Sequence, residues 1–194
     1  KVQRQKELIE AIYLHLDQSI DYAKRLQESI LPMPETLKKY IEDVFVLFHP
    51  KDKVSGDFYW WTHVEGQTVI AVSDCTGHGV PGAFMSMLGI SFLREIVMKE
   101  YITHPGVILQ KLRKEIVKTL KQKTEGKGRK DGMDMAVISI NHETNTLQYA
   151  GANNPLYIIT NDELKIENEN SIRLFGKEKE INNTEKYFYE IKPD

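Results

Sequence analysis

Residues 3–30 contain no glycine or proline, and apolar side chains recur there at Ile9, Ile12, Leu16, Ile20, Ala23, Leu26 and Ile30, in steps of three and four. That spacing lays one stripe along a long helix. Pro32 and Pro34 end it. Two partners suit such a stripe: the helix's own domain, or a second helix in a parallel coiled coil that carries a signal from an upstream domain. Near-heptad spacing with charged flanks favours the coiled coil, although Ser19 stands where a strict heptad has an apolar residue.

After the prolines the period changes. Residues 44–48, 58–61 and 68–72 read as strands between turn residues, and the unbroken apolar run 69–72 marks a strand covered on both faces. Pro81 stands where a first helical turn tolerates it, and residues 84–97 are apolar nearly all round, which predicts a buried helix. A second, more amphipathic helix is predicted over 106–120, followed by a Lys/Gly-rich mobile loop at 121–130. Strand patterns return at 135–140, 147–150 and 156–159, with Asn-His-Glu-Thr-Asn and Gly-Ala-Asn-Asn-Pro as turns, and a last apolar alternation falls at 187–191. No internal repeat is visible. Helix, strands, two helices and more strands in that order predict an α+β fold, with antiparallel sheet packed on helices.

With 194 residues, 41% of them hydrophobic, the chain can bury one sizeable core. The expected division is a linker-like helix over 1–31 and one domain over 32–194. A net charge of −2 announces neither nucleic acid nor a membrane surface as a partner. No apolar run in the sequence approaches the ~20 residues that cross a bilayer, and no cleavable leader opens it. The single cysteine, Cys75, excludes an internal disulfide and a Cys/His zinc cluster, which fits a reducing cytoplasm. Because the chain begins inside a helical pattern and stops just after a strand pattern, it is expected to be a piece of a longer protein.

Two aspartates stand at predicted strand ends with glycine close by: Asp57 in Ser-Gly-Asp-Phe-Tyr-Trp-Trp and Asp74 in Ser-Asp-Cys-Thr-Gly-His-Gly. Carboxylates so placed can converge on hard cations such as Mg²⁺ or Mn²⁺, which take oxygen ligands and keep several waters. Gly77 and Gly79 would let the backbone turn tightly and bring a main-chain carbonyl, that of Cys75, towards an ion. Aspartates beside glycines also serve as turn and cap residues, so residue types alone leave both readings open.

The motifs add specificity. Gln27-Glu-Ser-Ile-Leu-Pro32, Gly56-Asp-Phe-Tyr59, Ser73-Asp-Cys-Thr-Gly-His-Gly79 followed by Pro81-Gly-Ala-Phe-Met-Ser, Asp131-Gly-Met-Asp-Met-Ala136 and Tyr149-Ala-Gly-Ala-Asn-Asn-Pro155 occur in that order. Together they resemble the successive signatures of SpoIIE-type phosphatases, a branch of the PPM family of metal-dependent serine/threonine protein phosphatases. The resemblance covers about residues 22–155. It implies an αββα sandwich of antiparallel sheets between helices, two Mg²⁺ or Mn²⁺ ions in the complete domain, and hydrolysis of phosphoserine or phosphothreonine on a regulatory protein without a phosphoenzyme. By motif match, Asp74 would bridge the metals, the Cys75 carbonyl would assist, and Asp57 would hold one ion directly or through water. With the near-heptad stripe of the N-terminal helix, the expectation is control by an upstream sensor through that helix, which could also form a homodimer. A catalytically inactive interaction module is the alternative. Two departures stand out: Thr76 occupies the place of the histidine in the commoner Asp-Gly-His-Gly-Gly form, and the family's later aspartate blocks are absent before Asp194. The chain is therefore expected to own half of its metal site.

Other residues carry weaker signals. His78 in a Gly-His-Gly turn suits a hydrogen-bonded spacer or a contact to substrate or metal-bound water better than direct catalysis. Asp134 reads as a local structural residue, with a substrate-side role as the alternative. Cys75 as a nucleophile is disfavoured, because a Cys-x₅-Arg cradle would need arginine where Pro81 stands. Of Trp60 and Trp61, one is expected in the core and one on the surface, and the basic cluster at 121–130 reads as a solvated loop.

Overall fold

The computed structural model describes residues 2–121, 131–160, 163–167 and 189–190. Of the predicted loop at 121–130 only residue 121 is among the described residues, and of the alternation at 187–191 only residues 189 and 190. The N-terminal pattern forms α1 (Val2–Ile30), and a single turn, α2 (Pro34–Leu37), follows the prolines. Strands β1 (Phe58–Val64) and β2 (Gln67–Cys75) make a hairpin whose two-residue turn, Glu65 and Gly66, has positive φ at both positions. That turn twists with the strands. Helix α3 (Gly79–Leu93) runs into a π-helical turn at Arg94–Lys99, and α4 (Pro105–Thr119) follows. Strands β3 (Met133–Asn141) and β4 (Thr146–Ala152) form a second hairpin, in which Asn141 Oδ1 accepts the backbone N–H groups of Glu143 and Thr144. The short strands β5 (Leu156–Thr160) and β6 (Glu163–Glu167) pair with each other, and β7 (Tyr189–Glu190) joins β4.

The main sheet has the order β1-β2-β3-β4-β7, antiparallel throughout. Alternation along its strands sends Phe58, Trp60, Val69, Ala71, Cys75, Met133, Met135 and Val137 to one face, where they meet Leu93, Ile96, Ile108, Leu109, Leu112 and Ile116 from the helices. Each large aliphatic side chain buried there contributes about 1.5–3 kcal/mol. The segment Gly79–Lys99 is long and apolar enough to cross a membrane by length and composition, but half of its most apolar window is buried inside the fold. It is the core helix of this sheet, and its length shows that the apolar run read from sequence as too short does continue in the helix.

Three local expectations are corrected, and a fourth is sharpened. Residues 44–48 alternate as a strand should, yet among the described residues they have no ladder partner, and Phe45 and Leu47 are each 87% exposed. Alternation specifies a face, but a strand also needs a neighbour. Nor is β2 covered on both faces: Val69 and Ala71 are buried while Val72 is 52% exposed, because α3 and α4 occupy one side only. Trp60 and Trp61 are both buried; Trp61 points to the opposite face, where Tyr59 stacks on it and its Nε1–H donates to Thr36 Oγ1 at 3.0 Å. Finally, α1 uses its stripe unevenly. Gln27 is buried and Ile30 packs against the core, whereas Leu8, Ile9, Ile12, Tyr13 and Leu16 are exposed.

Candidate active site

The hairpin register assembles the site. Phe58 pairs with Ser73, so one further step sets Asp57 beside Asp74, and Asp74 pairs directly with Asp134 on β3. Residues paired across antiparallel strands share a face. Three carboxylates therefore stand in a row at one end of the sheet, on the face the helices leave open. Asn153, just after β4, donates from Nδ2 to Asp134 Oδ1 at 2.8 Å and ends the row.

Main-chain packing brings the loops together. A Cβ on Gly56 would lie 2.7 Å from the Gly77 carbonyl oxygen and 3.2 Å from that of Cys75, and one on Gly82 would lie 2.6 Å from the same Gly77 oxygen. Only glycine permits this approach, and it seats the loop after Asp74 directly against the residue before Asp57. Thr76 latches the far side: its N–H donates to the Gly132 carbonyl at 2.6 Å and its Oγ1 accepts the Gly132 N–H at 3.0 Å. Ser73 Oγ donates to the Asp134 carbonyl at 3.0 Å. The threonine that stands in the histidine's place is thus a clasp between β2 and the loop entering β3.

Burial raises the pKa of Asp74, and the adjacent carboxyl of Asp57 raises it further by hydrogen bonding and by charge, with Asp134 adding to the effect. Like charges held this close favour a proton or a cation between them. Cys75 turns its thiol into the core, where burial pushes its pKa up to about 12. A thiol so placed is inert, which leaves its carbonyl as the useful group.

This is an all-oxygen set, the donor chemistry of Mg²⁺ or Mn²⁺. Among the described residues no group of three or more His, Cys, Asp or Glu closes on one ion; Asp57 and Asp74 form the close pair, and Asp134 acts on it through charge. Residue spacing favours a structural Asp134 and gives Asn153 no role beyond its place in the Gly-Ala-Asn-Asn-Pro turn. Only the register of β2 on β3 places Asp134 beside Asp74.

Helix α1 reaches this site through Gln27. Its Nε2 donates to the Ser55 carbonyl at 2.6 Å and to Ser86 Oγ at 2.7 Å, while its Oε1 accepts the Ser55 N–H at 2.9 Å. Ser55 Oγ in turn accepts the Asp57 N–H at 3.0 Å. Nearby, Lys53 Nζ lies 2.7 Å from Asp17 and 2.8 Å from Asp21, both on α1. His78, at the start of α3, places Nδ1 2.8 Å from Asp52 Oδ2.

The fold recurs in solved proteins. The SiaA-PP2C domain of Pseudomonas aeruginosa superposes with a TM-score of 0.73 at 29% identity, over 84% of this chain and 63% of its own. This chain thus spans less than two thirds of that neighbour's length. The PP2C phosphatase domain, with a fragment of the regulatory domain, of the cell fate determinant SpoIIE from Bacillus subtilis matches with a TM-score of 0.51 at 19% identity, over 72% of this chain and 38% of its own. No curated protein sequence matches the chain. Residues 64–190, which include Asp74 and Asp134 but begin after Asp57, match the family Stage II sporulation protein E (SpoIIE). With that stretch matched and the PP2C fold around it, the chain belongs to the SpoIIE family.

Proposed function

We propose that this domain dephosphorylates phosphoserine or phosphothreonine on a regulatory protein, with Mg²⁺ or Mn²⁺, under control exerted through α1. The observation that carries the reading is the convergence of Asp57 and Asp74 beside the loop whose carbonyls face Gly56. Asp74 would hold the metals from the centre of the row, Asp57 from its edge, and the Cys75 carbonyl between them. When bound, the ions would clamp the phosphoryl oxygens and make hydroxide available near neutral pH. Asp134, tied to Asn153, lies beside Asp74 and adds to the like-charge repulsion that a bound cation would relieve.

Control through α1 rests on the Gln27 clamp. The helix cannot shift without breaking hydrogen bonds to the backbone two residues ahead of Asp57. The exposed stripe from Leu8 to Leu16 is where a second copy would pair, so that a sensor's signal arrives as a change in helix pairing. A single buried thiol agrees with a cytoplasmic setting.

The test is hydrolysis of a phosphoserine protein and of p-nitrophenyl phosphate by the full-length gene product. Activity should require Mn²⁺ or Mg²⁺, vanish with chelator and vanish in Asp74→Asn; activity surviving either treatment refutes the reading. Partner binding that ignores chelator, without turnover, would replace it with an interaction module.

A further inference from the structure

A phosphate ester brings acceptor oxygens and negative charge to the acidic row, and carboxylates have no proton to give it. Cations answer the charge, but holding the group in one orientation also takes a placed N–H or O–H. Among the described residues, the side chains bonded to the row from outside it are Ser55, Ser73 and Asn153. Ser73 is buried and gives its proton to the Asp134 carbonyl. Ser55 is buried under the loop, joined to Gln27 and Ser86. Asn153 is exposed. A carboxylate accepts, so the 2.8 Å contact to Asp134 Oδ1 is made by Asn153 Nδ2, which carries two protons. One goes to Asp134, and among the described residues the other meets no acceptor.

The turn holds that amide in place. Asn153 stands at φ 57° and forms a parallel bridge with Met135 on β3; asparagine tolerates this left-handed conformation better than most residues. Tyr149 folds over Gly151, where a Cβ would collide with its hydroxyl, and that hydroxyl donates to the Asn154 carbonyl. Asp134, which receives the first proton, pairs across the sheet with Asp74. A donor fixed before the substrate arrives loses little freedom when it binds.

We propose that Asn153 is a phosphate contact of this site: its second Nδ2–H donates to a non-bridging oxygen of the phosphoryl group brought to the acidic row. The proposal rests on the phosphatase reading above and deepens it. A neutral amide can bond a carboxylate and a phosphoryl oxygen at once without adding charge to either. Because it touches the phosphoryl group and not the leaving group, it serves different phosphate monoesters alike.

Two variants test this. Asn153→Gly removes the amide and suits the positive φ. Asn153→Asp keeps the shape, tolerates the same φ and replaces the donor with an acceptor. In the full-length protein with saturating Mg²⁺, each should raise KM for p-nitrophenyl phosphate and for a phosphoserine peptide by a common factor of roughly tenfold or more, with kcat changed less than KM. Inorganic phosphate, titrated by calorimetry into the Mg²⁺-loaded protein, should lose affinity by a similar factor. If Asn153→Gly fails to fold, Asn153→Asp carries the same test. Wild-type KM and phosphate affinity in a folded variant overturn the proposal and leave the phosphatase reading standing. So does a change confined to the Mg²⁺ concentration that half-saturates activity, which would make Asn153 only a support for Asp134. If the wild-type protein hydrolyses neither substrate, the reading and the proposal fall together.

Discussion

The open face of the sheet carries two polar clusters on the same strands, and they are opposites. At the hairpin end, Thr68 Oγ1 lies 3.1 Å from His63 Nδ1 and 2.7 Å from His142 Nε2. Tyr40 stacks on the His63 ring with centroids 4.2 Å apart and planes 7° apart. A hydroxyl donates once and accepts up to twice, so Thr68 can serve both imidazoles, the tautomer of each ring setting which atom donates. Every polar atom named in that group has a protein partner. At the other end, Asp57, Asp74 and Asp134 bring acidic groups together; Asp134 accepts from Asn153, and Asp57 and Asp74 meet each other. The hairpin cluster joins its polar groups to one another within the fold, while the acidic row sets like charges side by side. Folding alone would favour the first arrangement, and the second is what a binding site looks like before its ligand.

The largest effect should come from the acidic row. Asp74→Asn should cut metal-dependent turnover by at least roughly 10²–10³-fold, yet raise the Tm of the metal-free protein because one of the crowded charges is gone. A fall in both quantities would mean that Asp74 supports the fold and the two ends do not differ in kind. Next comes the link from α1. Gln27→Ala leaves the buried Ser55 N–H without its acceptor, a loss of about 1–3 kcal/mol by chemical denaturation, and activity should fall because Asp57 loses its support. Gln27→Glu keeps the acceptor and should recover part of the stability.

Thr68→Val conserves shape and removes the shared hydroxyl. It should destabilise by about 1–2 kcal/mol without changing kcat on p-nitrophenyl phosphate; a large change in kcat would show the two clusters to be coupled through β2.

The clusters should also differ in the sign of their pH dependence. Asp74 is raised in the folded protein above its ordinary 3.8 by burial and then by Asp57. It therefore contributes stability below pH 3.8 that is lost as pH rises through the raised value. His63 is lowered from its ordinary 6.5 by burial and then by His142. Its contribution is present above pH 6.5 and is lost as pH falls through the lowered value. Tm measured against pH on metal-free protein should show Asp74→Asn gaining on the wild type as pH climbs from below 3.8. His63→Gln should gain as pH drops below 6.5. The smallest effect belongs to Lys53→Ala, which removes a solvent-screened surface pair with Asp17 and Asp21 and should leave the denaturation midpoint nearly unchanged.

Much of this was legible in the chain. Period and punctuation are local properties, so α1, α4, both hairpins and the strand-end positions of Asp57 and Asp74 follow from residue spacing and glycine placement. The ordered motif blocks carried the family. What failed were statements that depend on neighbours. Residues 44–48 have a strand's alternation without a strand's partner, Val72 belongs to an apolar run yet faces outward, and Trp61 is covered by Tyr59 and reaches Thr36.

The site divides along the same line. Residue types and motif order by themselves determined that two aspartates at strand ends, with glycines beside them, make a metal-dependent phosphoryl chemistry the natural reading. Tertiary structure alone decided that Asp134 stands in their row, that Thr76 clasps Gly132, that Gln27 grips Ser55 and that Asp52 orients His78. Hydrophobic period is written into consecutive residues, whereas hydrogen bonds between positions 26 to 56 residues apart exist only once the core has set the strand register and the loops have closed over it.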